Sequence, residues 1–550
     1  MQTLRGADIV ARTLEALGVT RIFTLSGNHI MPVFDALLET GITLVHTRQE
    51  AACVHMADAW GRLTGEVGVA LVTGGQGHTN GAAVLTTAVA ADSPVLLLSG
   101  HAGLSELGRG AFQELAQADI ARPMTKAAWT AGSVASLGPD LARAFRIARE
   151  GRPGPVHLSL PVDLLDKAVP AASVRIPERA AAAIRAAEPA PDLVADLLAA
   201  LAGAERPLVA CGPALCDASG RAAMAALDET LGVPVVGMES PRGINDPALG
   251  AFAEVLARAD LLVLLGKPLD FTLRFGAAPA LAPNCRFVIV DPDPALLARA
   301  PADRLAVAGL ADPRPVLAAL TARATALPHR DASNRDAWHR EARAALAYRP
   351  PGWADLRGTG QRLHPVELCR AVDAFLERHP DGTLICDGGE IGQWPQALVR
   401  AGRRLINGVS GTIGASIPFA IAAALERPGA PVIAVLGDGT FGFHMAEFDT
   451  AVRYGVPFIA VVGNDARWNA EYQIQLRQYG AARARHCDLL SSRYDRVVTA
   501  LGGHGALVTR AWDLPGALEE AHASGLPACL NVLIESVPAP VIRRPKVSAP

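Results

Sequence analysis

The chain reads as an α/β protein: three α/β domains, each built on a mostly parallel sheet. Three observations predict this. Helical patterns alternate with short, continuously apolar runs along most of the 550 residues, which is how strands look when crossover helices bury both of their faces. At roughly 100 to 200 residues per domain, the length accommodates about three or four domains. Two stretches lose the periodicity: 167–190 is Ala-, Pro- and Arg-rich, and 326–352 is charged and Pro-punctuated, both connector compositions. Domains over 1–166, 191–325 and 353–550 follow, the last carrying a C-terminal tail.

In order along the first domain come a helix over 7–17, an apolar run at 21–25, a helix near 32–38, and runs at 43–45, 67–73 and 95–99. The turn Gly151-Arg152-Pro153-Gly154-Pro155 leads into a last strand that closes this domain near Asp166. The second domain takes strands at 207–211, 233–237, 261–266 and 286–290. The third opens at His364 with the strand ending in Cys386-Asp387-Gly388-Gly389, then a Gly-rich apolar helix over 413–425, a strand at 432–436, a helix at 446–454 and a strand at 458–462.

Half the residues are hydrophobic and 19% are charged, so the chain is a packed globular protein and not a disordered one. With 51 Lys+Arg against 54 Asp+Glu, the net charge of -3 offers no phosphate-neutralising surface, and nucleic acid is not an expected partner. The N-terminus has the spacing of an amphipathic helix without the apolar core of a signal peptide, and no uninterrupted run reaches the roughly 18 apolar residues of a membrane span. No membrane association is expected. Eight cysteines without a C-x-x-C pair read as buried reduced thiols, which fits a cytoplasmic setting.

The chemistry concentrates at two strand ends. The strand at 432–436 runs into Gly437-Asp438-Gly439-Thr440, and the strand at 458–462 runs into Gly463-Asn464-Asp465. Parallel strands end at one carboxyl edge, where open α/β sheets bind ligands, so Asp438 and Asp465 converge there although 27 positions separate 438 from 465. Two carboxylates beside a Gly-rich turn are hard oxygen ligands for Mg²⁺, and N–H groups at a helix start suit a diphosphate.

These residues resemble those of the thiamine-diphosphate-dependent enzymes, the group of acetolactate synthase, benzoylformate decarboxylase, oxalyl-CoA decarboxylase and 2-hydroxyacyl-CoA lyase. The family's Gly-Asp-Gly motif and downstream Asn or Asp are matched by Gly437, Asp438, Gly439 and Thr440 and by Asp465. The resemblance implies thiamine diphosphate and Mg²⁺ as cofactors, with Asp438, Asp465 and the main-chain carbonyl of Arg467 as protein ligands of the metal. It also implies a pyrimidine-binding first domain and a diphosphate-binding third domain. Arg48-Gln49-Glu50 with His55-Met56-Ala57 is similar to the family segment that supplies a glutamate to the aminopyrimidine. Glu50 is then the group that protonates the ring nitrogen, a task for a buried carboxyl of raised pKa. Gln49 stands where a His is frequent. The turn from Thr73 to Asn80 resembles the segment against the pyrimidine, and Ser410-Gly411-Thr412-Ile413-Gly414 resembles the one in which an apolar side chain props the cofactor, roles that fall on Gly411 and Ile413.

Within the family the pointers divide. Ala111-Phe112-Gln113-Glu114 and Arg122-Pro123-Met124-Thr125-Lys126 resemble acetolactate synthase segments near the substrate, where Gln113 and Lys126 would act, but the flavin pattern after Leu265-Gly266 is not matched and FAD is not expected. Residues 266–276 are similar to a stretch of oxalyl-CoA decarboxylase and 2-hydroxyacyl-CoA lyase, whose middle domain holds the nucleotide of coenzyme A. Lys267, Arg274, Arg543, Arg544 and Lys546 are the cations such a substrate would use. Asn28 and His29 occupy an early loop from which hydrogen bonds can reach a substrate oxyanion. Glu390 stands where acetolactate synthase has Gln beside the diphosphate; it either points at substrate or sits in a different loop. The expected substrate is a small 2-oxo acid, with an acyl-CoA as the alternative. A homodimer or homotetramer with active sites at the subunit interface is implied. The rival from another class is a non-catalytic protein of the same fold, against which Glu50 and both carboxylates argue together.

Overall fold

The structure, a computed structural model, describes residues 3–323 and 332–545. Three parallel sheets carry it. In the first, β2 (Arg21–Thr24), β3 (Thr43–His46), β4 (Gly68–Val72), β5 (Val95–His101), β6 (Ala127–Thr130) and β7 (Val156–Pro161) lie in the order β3-β2-β4-β5-β7-β6. Outside it, β1 (Thr3–Arg5) pairs antiparallel with β8 (Ala168–Pro170), which ties the start of the chain to the segment leaving the domain. The second sheet runs β10-β9-β11-β12-β13 from β9 (Pro207–Cys211), β10 (Val235–Gly237), β11 (Leu261–Leu265), β12 (Arg286–Val290) and β13 (Leu305–Gly309). The third runs β15-β14-β16-β17-β19-β18 from β14 (Thr383–Cys386), β15 (Arg403–Ile406), β16 (Val432–Gly437), β17 (Ile459–Asn464), β18 (His504–Val508) and β19 (Ala528–Leu533).

The central strands are buried along almost their whole length: β4, β5, β7, β9 and β11 expose nothing appreciable to solvent. Their Val/Leu-rich sequences are what a doubly covered strand requires. The charged stretch after 331 folds as the helix Ala332–Ala347, whose Trp338, Ala342 and Ala345 join the second domain's core; residues 326–331 of the expected connector lie outside the described residues.

One hydrophobic core spans the first and third domains. It joins Cys53, Val54, Met56 and Ala57 of the helix Glu50–Thr64 to Phe419, Ala420 and Ile421 of the helix Ser416–Glu426. The large side chains of Met56, Phe419 and Ile421 fill the contact beside the small ones of Cys53, Ala57 and Ala420. Arg62 seals the junction by donating to Ile406 O at 2.7 Å while pairing with Asp58. All eight cysteines are buried and free. Among the described residues no helix is long and apolar enough to cross a membrane.

Candidate active site

The register of β16 and β17 pairs Gly437 with Gly463, so Asp438 and Asp465 leave adjacent strands at one edge. Asp438 is buried, and among the described residues its Oδ2 has no hydrogen-bond partner. Its carboxyl also faces the Asp465 side chain and the backbone of Arg467. Burial pushes both carboxyls above their usual range, and at Asp465 the neighbouring Asp438 charge adds to it. Two crowded carboxyls short of counter-charge fit a divalent cation. Among the described residues no cluster of three or more His, Cys, Asp or Glu side chains could hold a metal, so a cation here would need main-chain or ligand oxygens as well.

Next to this pair is a cavity of about 240 Å³. Gly437, Asp438, Gly439, Thr440, Asp465 and Arg467 line one side, Gly411 and Ile413 the other. The Thr440 hydroxyl is engaged with Gly437 O at 2.9 Å. Gly439 has no alternative: a Cβ there would begin 2.7 Å from the Trp468 ring. The loop bearing Gly411 and Ile413 is fastened by Asp387, a buried carboxylate at the end of β14. It accepts from the N–H groups of Gly388 at 2.6 Å, Gly414 at 2.9 Å and Ser416 at 3.2 Å, and from the Ser416 hydroxyl at 2.5 Å.

A second group gathers on the first domain. Glu50 opens its helix, and its Oε2 accepts from the Asn80 amide at 3.1 Å. Gln49, one residue earlier, caps that helix by accepting from the Ala51 N–H at 2.6 Å, a structural task that accounts for an amide at this position. Thr73 Oγ1 lies 3.3 Å from His29 Nδ1, and Gln113 Nε2 donates to Gln76 Oε1 at 3.3 Å. The His29 ring stacks on Phe112 with centroids 5.8 Å apart, and burial lowers its pKa, favouring the neutral imidazole. Asn28 is exposed beside it.

Three expectations need correction. Glu50 is half-buried, not buried, because it sits at a helix start on an open sheet edge of the single chain. Lys126 precedes β6 at the amino edge of the sheet, opposite Glu50, where its ammonium caps the carbonyls of Ile147 and Glu150 at the end of the helix Leu137–Arg149. Lys267 is 2% exposed and bonded to Asp270 at 3.0 Å, so it cannot serve a phosphate. Of the other cations expected for coenzyme A, Arg544 is paired with Glu254 at 2.7 Å, Arg274 and Arg543 are exposed, and Lys546 lies outside the described residues.

The first-domain group and the Asp438 cavity do not meet in one chain; among the described residues, none of the first domain lines that cavity. Sequence reasoning missed Trp468, which walls it, and Arg242, which enters from the second domain. A larger cavity, about 1140 Å³, lies between the domains at the carboxyl edge of the second sheet. Gly212 after β9 and Gly266 after β11 touch at this edge, where the strand order reverses, the usual ligand crevice of such sheets. Its floor is braced by Arg152, which binds Asp92 at 2.7 Å and Asp291 at 2.6 Å.

Comparison with known proteins agrees across the chain. Residues 4–120 match the family described as "Thiamine pyrophosphate enzyme, N-terminal TPP binding domain", residues 194–320 its "central domain" and residues 387–532 its "C-terminal TPP binding domain". The chain is 32% identical over 552 residues to "Probable acetolactate synthase" of Mycobacterium bovis, covering 97% of this chain and 96% of that protein. It is 32% identical over 597 residues to "2-hydroxyacyl-CoA lyase 2" of Homo sapiens, covering 96% and 90%. The Mus musculus protein of that name is 33% identical over 552 residues, with 92% and 85% covered.

Proposed function

The chain belongs to the thiamine pyrophosphate enzyme family, and from that premise we propose that it forms or cleaves a carbon–carbon bond next to a carbonyl, as an acetolactate-synthase-like carboligase or decarboxylase of a 2-oxo acid. The observation that carries this is the Asp438–Asp465 pair, two crowded carboxyls short of counter-charge beside a diphosphate-sized cavity. When bound, thiamine diphosphate supplies the reactive carbon and the electron sink. The chain's own residues bind and orient. Asp438, Asp465 and the Arg467 carbonyl would hold Mg²⁺; Gly437, Gly439 and Thr440 would leave room for the diphosphate; Gly411 and Ile413 would support the cofactor's middle. Glu50, steered by Asn80 and with Thr73 beside it, would hold the proton that a bound cofactor's pyrimidine ring nitrogen needs. His29, Asn28 and Gln113 face the substrate. Eight buried free thiols support a reducing, cytoplasmic setting.

The large cavity at the middle sheet's carboxyl edge favours a second reading, cleavage or decarboxylation of an acyl-CoA, since it offers the room that a nucleotide needs. Incubating the cofactor-loaded protein in parallel with pyruvate, oxalyl-CoA and a 2-hydroxyacyl-CoA, with products identified by mass spectrometry, separates the two. Acetolactate from pyruvate is the expected result. Thioester cleavage with no turnover of pyruvate replaces it with the second reading.

Because the Glu50 group and the Asp438 cavity lie apart in one chain, a complete site requires a second copy, as homodimer or homotetramer. Light scattering at assay concentration is expected to give at least the dimer mass. A fully active monomer overturns the shared site.

A further inference from the structure

Glu390 lines the Asp438 cavity, is 5% exposed, and answers to two other parts of the chain. Its Oε2 accepts from Arg242 Nη2 of the second domain at 3.1 Å and from the N–H of Ala539 in the C-terminal segment at 2.8 Å. Neither contact belongs to the metal pair. A carboxylate beside a bound diphosphate repels it, and unlike Asp438 and Asp465 Glu390 is not among the residues that would hold a metal ion to cancel its charge.

Arg242 is aimed by its surroundings. It sits in the turn Ser240-Pro241-Arg242-Gly243, with its N–H on Ser240 Oγ at 3.3 Å. Gly243 has φ +54°, and a Cβ there would begin 2.1 Å from Thr272 O. No side chain fits, so the turn lies flush on Thr272. Thr272 is fixed by Asp270, which accepts from its N–H at 3.0 Å and its hydroxyl at 2.5 Å, and Asp270 is fixed by Lys267. The stretch 266–276, likened above to a coenzyme A segment, therefore buttresses the Arg242 turn. On the other flank Pro241 packs against Gly411, across the cavity from the metal pair. Of the two arginines that line the cavity among the described residues, Arg467 turns away to Asp488 at 2.6 Å and lies over Tyr472.

We propose that Arg242 is a positioning residue of the cofactor site: by pairing with Glu390 it cancels the carboxylate that no metal neutralises, and so admits the diphosphate. This rests on the diphosphate reading of the cavity. It has a sign that a purely structural clasp lacks. Removing Glu390 leaves a free cation facing the diphosphate, whereas removing Arg242 leaves a free anion.

The test is calorimetric titration of thiamine diphosphate, with Mg²⁺ present, into wild type, E390Q, R242M, R242K and the double variant E390Q/R242M, each first checked for cooperative thermal unfolding. E390Q is expected to bind about tenfold tighter and R242M about tenfold weaker, one unit charge acting through a partly solvated site. The double variant returns to within about threefold of wild type, and R242K, which keeps the charge, stays close to it. Weakened binding in both single variants, or an R242M titration identical to wild type, overturns the proposal while leaving the diphosphate reading intact. Absence of Mg²⁺-dependent binding in wild type overturns both. Should R242M not fold, E390Q decides alone, because tightening is still required.

Discussion

Replacing Asp438 by Ala is expected to weaken thiamine diphosphate binding by about a hundredfold or more, roughly 2.7 kcal/mol. Asp438 is buried, its Oδ2 lacks a partner, and Asp465 crowds it, so the unliganded site is destabilised by charge held out of water. A divalent cation converts that repulsion into attraction and then presents positive charge to the diphosphate. With Asp438→Ala the metal keeps only Asp465 and main-chain oxygen, and the diphosphate loses its counter-ion. The same change relieves the Asp438–Asp465 repulsion, so the ligand-free variant should unfold at a temperature no lower than wild type. Calorimetry with and without Mg²⁺ reads the first effect and thermal denaturation the second. Unchanged cofactor affinity would sink the metal assignment.

Glu50→Gln is expected to separate binding from chemistry. The amide oxygen of Gln can still accept from Asn80, which now bonds Oε2 at 3.1 Å, so the pocket keeps its shape and the cofactor should bind within a few-fold of wild type. What disappears is the ionisable proton. General acid–base groups of this kind contribute about 10² to 10⁴ in rate, and the loss should fall on deprotonation of the cofactor's C2. Hydrogen–deuterium exchange at C2 of the bound cofactor, followed by NMR after acid quench, measures that step directly. Exchange at the wild-type rate in the variant removes Glu50 from the role.

The contrast between these two sites and the rest of the molecule shows what the sequence could disclose. The ends of β16 and β17 are legible because a buried apolar run that stops at Gly-Asp-Gly sets a carboxylate on a tight turn at the ligand-binding edge of a parallel sheet. Strands β6, β13, β15 and β18 are not: each is a partly exposed edge strand whose apolar run is thinned by small or charged residues such as Ala127, Ala306, Arg403, Arg404 and Gly505. β19 is central but carries Asn531 in its middle, fully buried and bonded to Asp495 and Ser492 O, which breaks the hydrophobic run. Lys126 takes its expected place near the substrate from its neighbours in the chain, but sequence adjacency does not say which edge of a sheet a residue reaches. Arg242 carries no motif at all; it meets Glu390 across 148 positions, a contact made by domain packing alone.

The staple formed by Asp387 bears on entropy. A backbone residue confined to one conformational well gives up roughly 1 to 2 kcal/mol of conformational entropy at 25 °C. Four hydrogen bonds to one buried carboxylate confine the chain from Gly414 to Ser416 and hold Gly388 against it, and so limit the excursions of the Gly411–Ile413 segment between Pro241 and the strand end. That ordering is completed when the chain folds. A cofactor arriving later meets walls already in place, so its contacts with Gly411 and Ile413 appear in the affinity undiminished by the loop's loss of freedom.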